Sequence, residues 1–217
     1  FLRSGTGGDL ARTFGMLGSL QEQADRIARS EATAIDVIGC SYETDSGEDW
    51  AVSVNIASVG QGGDVCHRVD SRRKWVGGAL PFALAAVESL MATRPWQVGL
   101  VQDGGAEQRM SVRNVVAANC EYHGGGMHIA PMAVVDDGQF DLVVIGGLSR
   151  LRSSWSMRHV YKGVLHEQDG IEHSRAGRVT VVPIDGEVPM LLEIDGEVRG
   201  RAPVTFEVLH RAVRLAR

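Results

Sequence analysis

TAIDVIGCSYETDSGEDWAVSVNIAS, Thr33 to Ser58, is the stretch that decides the fold class. Two segments of it, Thr33 to Tyr42 and Trp50 to Ser58, are rich in Val, Ile and aromatic residues, and the turn formers TDSGED lie between them, which predicts a β-hairpin. The same texture recurs outward from it. Val98 to Gln102, Met110 to Glu121, Phe140 to Ile145, Val179 to Ile184, Met190 to Ile194 and Val204 to Leu209 read as further strands joined by short Gly, Asp and Asn turns. Such runs point to antiparallel packing rather than to repeated βαβ units. The expected fold class is mainly β with helices (α+β), built as an antiparallel two-sheet sandwich or flattened barrel.

Helices are few. Leu10 to Arg29 reads as helical, with Leu17, Leu20, Ala24 and Ile27 at three- and four-residue spacing. Pro81 to Met91 and Leu148 to Tyr161 are the others, the first opened by a proline where its missing N–H costs least. The change of texture near Ser30 predicts a boundary, with an α/β fragment over 1–30 and a mostly β domain over 31–217.

The 217 residues carry a net charge of −5, 44% hydrophobic and 23% charged residues, an ordinary balance for a globular chain. The acidic balance excludes a general nucleic-acid binder, which needs surplus Lys and Arg. No run approaches the roughly 18 apolar residues of a membrane span, because Pro81 and Glu88 interrupt the densest stretch. The start lacks the apolar core of a signal peptide. Cys40, Cys66 and Cys120 stand far apart without a C-x-x-C pair, so no disulfide framework or zinc ribbon is expected and a cytoplasmic location is. Two basic clusters beside tryptophans, Arg72 to Lys74 with Trp75 and Arg150 to Lys162 around Trp155, suit peripheral contact with an anionic membrane face or a plain solvated helix face.

The chemistry-bearing residues are acidic and glycine-flanked. GTGGDLARTFG, Gly5 to Gly15, sets a glycine turn before a helix, a geometry that holds phosphate on backbone N–H groups. It is neither a Walker loop nor a dinucleotide turn. Asp9 there is either a helix cap or an acid that meets phosphate through Mg²⁺, and Arg12 one turn on can reach a phosphate oxygen. Asp36 is a carboxylate inside an apolar strand. Gly124 to Gly126 exclude a regular strand and call for a backbone bent near a ligand or another segment. Asp137-Gly138 is a hairpin turn or a hard-cation loop. Of the triplets Asp185-Gly186-Glu187 and Asp195-Gly196-Glu197, the first reads as a turn between strands. All seven histidines are taken as non-ligands.

Together GTGGDLAR, NIASVGQGGDV, NCEYHGGGMHIAPMAVVDDGQFD and DGEVRGRAP make the chain resemble the diacylglycerol kinase and sphingosine kinase superfamily of lipid kinases, in order and over nearly its whole length. Gly8 departs from the family's Asn. The resemblance implies that 1–30 is the remnant of an α/β nucleotide-binding domain and 31–217 a lipid-binding β-sandwich. It implies ATP and Mg²⁺ as cofactors, with Thr6, Asp9, Arg12 and Asp36 on the nucleotide side and Asp137 with the Gln139 carbonyl holding a structural Mg²⁺. Glu197 becomes the catalytic base for the acceptor hydroxyl, assisted by Asp195. Asp9 and Glu197 are then expected to converge beside one cleft. The implied partners are a lipid substrate (diacylglycerol, sphingoid base or ceramide), the inner membrane face as a peripheral contact and no nucleic acid, with a homodimer compatible. The family's G-G-D-G-T loop is not among these residues, so the segment is expected to be inactive alone. A non-catalytic lipid-binding domain is the alternative.

Overall fold

The computed structural model describes residues 8–72, 89, 94–147, 163–164, 168–184 and 188–216. The helices expected at Pro81 to Met91 and Leu148 to Tyr161, both basic clusters apart from the backbone of Arg72, Thr6 and the first Asp-Gly-Glu triplet lie outside them. Among the described residues no helix is long and apolar enough to cross a membrane.

The predicted hairpin is present as β1 (Ala32–Thr44) and β2 (Gly47–Ser53), closing at Thr44↔Gly47. The second segment, however, is not one strand. It breaks at Val54-Asn55 and resumes as β3 (Ile56–Gly60), which pairs elsewhere. Helix α3 (Gln61–Arg72) follows. The glycines between them are needed: Gly60 has φ +116°, and a Cβ on Gly63 would sit 2.5 Å from the Leu191 carbonyl oxygen.

The remaining strands are β4 (Trp96–Gln102), β5 (Gln108–Ala118), the short pair β6 (Tyr122–His123) and β7 (Met127–His128), β8 (Phe140–Gly146), β9 (Ile171–Ala176), β10 (Arg178–Pro183), β11 (Leu191–Ile194) and the twenty-residue β12 (Glu197–Ala216). Their antiparallel pairings close a ring of six, β10-β4-β5-β3-β11-β12 and back to β10. Two hairpins extend from it. β1-β2 attaches to β12, and β8-β9 attaches to β5. The flattened-barrel form of the expectation is therefore the closer description.

The barrel interior is apolar, with Ile38, Val59, Val98, Val115, Leu192 and Phe206 all fully buried. A second cluster of Ile56, Val116, Ala118, Ile129 and Val143 covers the outer face of β3 and β5, so those strands are buried on both sides. Cys40 and Cys120 belong to the core, where burial pushes their thiols up to about 12, well outside the range of a nucleophile.

The expected helix Leu10 to Arg29 is two helices, α1 (Asp9–Thr13) and α2 (Leu20–Arg29). Gly15 at φ +62° ends the first, and a reciprocal Ser19–Glu22 capping box opens the second. Ala11, Phe14 and Met16 pack on Ile35 and Cys120. This fixes α1 to the β structure, while Leu17 and Leu20 of the predicted apolar stripe stay exposed.

Phe206→Ala removes the largest class of side chain from the barrel centre. Urea denaturation is expected to show a loss of about 3–5 kcal/mol with an unchanged m-value.

Candidate active site

Asp195 and Gly196 form a two-residue hairpin turn between β11 and β12, with φ +50° and +92°. Positive φ at both positions is the I′ geometry that Asp-Gly favours. The Asp195 carboxylate then reaches back to the β2–β3 break. Its Oδ1 accepts from Ser53 Oγ at 2.6 Å, Asn55 N at 3.0 Å and Ile56 N at 3.1 Å, and its Oδ2 accepts from Val54 N at 2.9 Å. Glu197, next in the chain, has a side chain 67% exposed and lies 2.6 Å from Arg199. The two acids thus divide the work: Asp195 is spent on holding the turn and Glu197 is presented to solvent.

Glu193 lies beneath the same turn and is fully buried. It accepts from Ser58 Oγ at 2.9 Å and from Gly196 N at 2.5 Å, and His123 Nε2 stands 3.6 Å away. Burial pushes its carboxyl above the ordinary 4.5, the His123, Gly196 and Ser58 contacts oppose the rise, and Asp195 adds to it. Glu193 is absent from the acids singled out by glycine-flanked motifs, although an acid inside the apolar run MLLEI is the available signal.

Asp9 is the first residue of α1, whose cap is Gly8 without a side-chain bond, so capping is not its use here. Its Oδ2 accepts from Gly125 N at 2.7 Å, and its Oδ1 is buried without a hydrogen bond, 3.8 Å from Arg12 Nε. Gly124, Gly125 and Gly126 all have positive φ and bend the β6–β7 hairpin against α1, as their sequence suggested. The other side of that hairpin meets β11, through His123 to Glu193, and the β2–β3 break, through Asn55 Nδ2 donating to the Tyr122 carbonyl at 3.0 Å. Among the described residues no hydrogen bond or ion pair joins Asp9 directly to Glu197; the hairpin touches Asp9 through Gly125 N and Glu193 through His123.

Asp36 is fully buried at a bulge, where it alone faces residues 210–212 of β12. One oxygen accepts from Arg211 N at 2.6 Å with His210 Nδ1 at 2.9 Å, and the other accepts from Gly138 N at 2.6 Å. Asp137 accepts from Gln139 N at 3.1 Å and is ion-paired with Arg175, while Asp141 pairs with His173 at 2.6 Å. The Arg175 guanidinium offsets the charge of Asp137. Among the described residues no group of three or more His, Cys, Asp or Glu suited to a metal occurs. The buried, hydrogen-bond-free Oδ1 of Asp9 fits a single contact to a divalent cation.

Residues 55–217 match the family model described as the YegS C-terminal NAD kinase beta sandwich-like domain. The chain belongs to that family. It is 27% identical over 216 residues to the diacylglycerol kinase of Mycobacterium tuberculosis (strain ATCC 25618 / H37Rv), covering 99% of this chain and 67% of that protein. It is 26% identical to the diacylglycerol kinase of Bacillus subtilis (strain 168), covering 97% and 66%. The fold matches a crystal structure of a diacylglycerol kinase from Bacillus anthracis str. Sterne with a TM-score of 0.64 at 18% identity, covering 99% and 65%. The chain spans about two thirds of the length of these relatives. In this YegS-type domain Trp96 lies in the barrel core, Met127 and Ile129 lie in the outer cluster, and Met132 is exposed.

Two outcomes are expected from these placements. Asp195→Ala strands three amide groups and a hydroxyl and is expected to cost about 3 kcal/mol, whereas Glu197→Gln changes stability by less than about 0.5 kcal/mol, both read by denaturant melts. Because the folded Glu193 binds its proton more tightly than the unfolded one, stability falls as pH rises above 4.5. The melting-temperature difference between Glu193→Gln and the unaltered protein should therefore widen as pH climbs from 4.5 toward neutral, in favour of the variant.

Proposed function

We propose that this chain supplies the acceptor side, and part of the nucleotide side, of an ATP-dependent lipid kinase acting on the hydroxyl of diacylglycerol or a related lipid. The observation that carries the reading is the exposed Glu197 carboxylate on a turn anchored by four hydrogen bonds to Asp195. Phosphoryl transfer needs positioning and charge neutralisation more than covalent chemistry, with one carboxylate to orient the nucleophile. A rigid turn and an unburied acid meet that need.

In the reaction the acceptor oxygen forms a bond to the γ-phosphorus as the bond to the leaving ADP oxygen breaks. Glu197 orients the hydroxyl and takes its proton. Asp195 keeps the turn in place and does not itself touch substrate. Arg12, partly exposed at the end of α1, faces the phosphate side with Asp9. Magnesium, when bound, neutralises phosphate charge, and Asp9 is the residue that would hold it. The kinase names of the family relatives support the reaction class. Cys40 and Cys120, buried thiols outside any disulfide, support a reducing cytoplasmic setting, with the lipid met at the inner membrane face.

The test uses the full-length gene product with labelled ATP, Mg²⁺ and mixed micelles of diacylglycerol, ceramide or sphingosine. Labelled phosphatidic acid is expected, and Glu197→Gln should lower kcat about 100-fold or more at an unchanged melting temperature. A folded protein that labels none of these lipids would overturn the kinase reading in favour of a lipid-binding domain.

A further inference from the structure

Glu193 is buried at the point where three separate parts of the chain meet the acceptor-side turn. Its two oxygens serve Gly196 N, inside the turn, and Ser58 Oγ on β3. On the latter oxygen His123 Nε2 also stands, from the first strand of the glycine hairpin. That hairpin holds Asp9 through Gly125 N at its tip. A continuous set of contacts therefore runs Asp9, Gly125, His123, Glu193, Gly196, and ends one residue before Glu197.

We propose that Glu193 and His123 are positioning residues that couple the nucleotide-side acid Asp9 to the acceptor-side acid Glu197, by clamping the glycine hairpin to the Asp195-Gly196 turn. Neither touches substrate. Each end of the link is a backbone N–H held by a carboxylate, and the His123 and Glu193 side chains bridge the middle, so displacement of one end is passed to the other. The hairpin is otherwise a weak element of two-residue strands, with Tyr122 stacked on His128 at 4.5 Å. Such an element takes its position from its neighbours. The Glu193–His123 contact is an ion pair only when His123 carries its second proton. The other groups facing Glu193 are Asp195 on its own turn, Ser58 on β3 and the Cys40 thiol on β1. The functional half of the proposal rests on the kinase reading above; the structural half does not.

The experiment compares Glu193→Gln, His123→Gln and the double variant in the full-length gene product. Glutamine at 193 keeps the shape and an acceptor for Gly196 while removing the charge, and His123 lies near the surface, so at least one variant is expected to fold. Hydrogen exchange read by mass spectrometry should quicken about tenfold over residues 122–128 in each single variant, with no further change in the double. In the kinase assay each single variant should raise KM for ATP several-fold, which Glu197→Gln should not do. Unchanged exchange in the hairpin, or effects of the two substitutions that simply add, would overturn the coupling. If the unaltered protein has no kinase activity, the kinase reading fails while the exchange data still decide the link.

Discussion

The capture of three consecutive backbone N–H groups, Val54 to Ile56, by the single carboxylate of Asp195 is the constraint on which the rest of the molecule depends. In an extended strand successive N–H groups point to opposite edges, so they can converge on one acceptor only where the strand stops. Here the β1-β2 hairpin ends and the barrel begins. The same carboxylate fixes the I′ turn that launches β12 and sets Glu197 on its outer side. A residue about 140 positions away in sequence thus decides where a strand ends and where an acid is displayed.

This also explains which parts of the structure could be read from sequence. The β1-β2 hairpin, β4, β5, β8, β10 and β11 carry their own pattern of Val, Ile and aromatic residues, and the structure has them within a few residues of the expected bounds. The break at Val54-Asn55 carries no local signal, because its cause is distant. β9, with the sequence IEHSRA, is too polar to announce itself, and its partner β8 imposes the extended form. The last third of β12 is likewise held by pairing with β1 rather than by its own composition. Gly15 and Gly18 did mark the break between α1 and α2, but the apolar spacing across them suggested continuity.

At the candidate site the acids were legible and their partners were not. Asp9, Asp36, Asp195 and Glu197 stand out because each sits next to glycines or inside apolar sequence. What each touches is set by groups brought from elsewhere: Gly125 for Asp9, Gly138 and Arg211 for Asp36, and Ser53 with the Val54 to Ile56 amides for Asp195. The histidines show the same limit. They read as non-ligands, and four of them, His123, His128, His173 and His210, each stand against a carboxylate.

Closure of the six-stranded ring has a consequence for association. A ring offers no free backbone to another chain, so among the described strands of the main sheet the open edges are those of β2 and β9, at the tips of the two attached hairpins. β2 begins Gly47-Glu48-Asp49, and β9 carries Glu172, His173 and Arg175. Charged side chains on exposed rims discourage a neighbour from adding as a further strand. The protein thus guards itself against uncontrolled stacking where its backbone is unpaired.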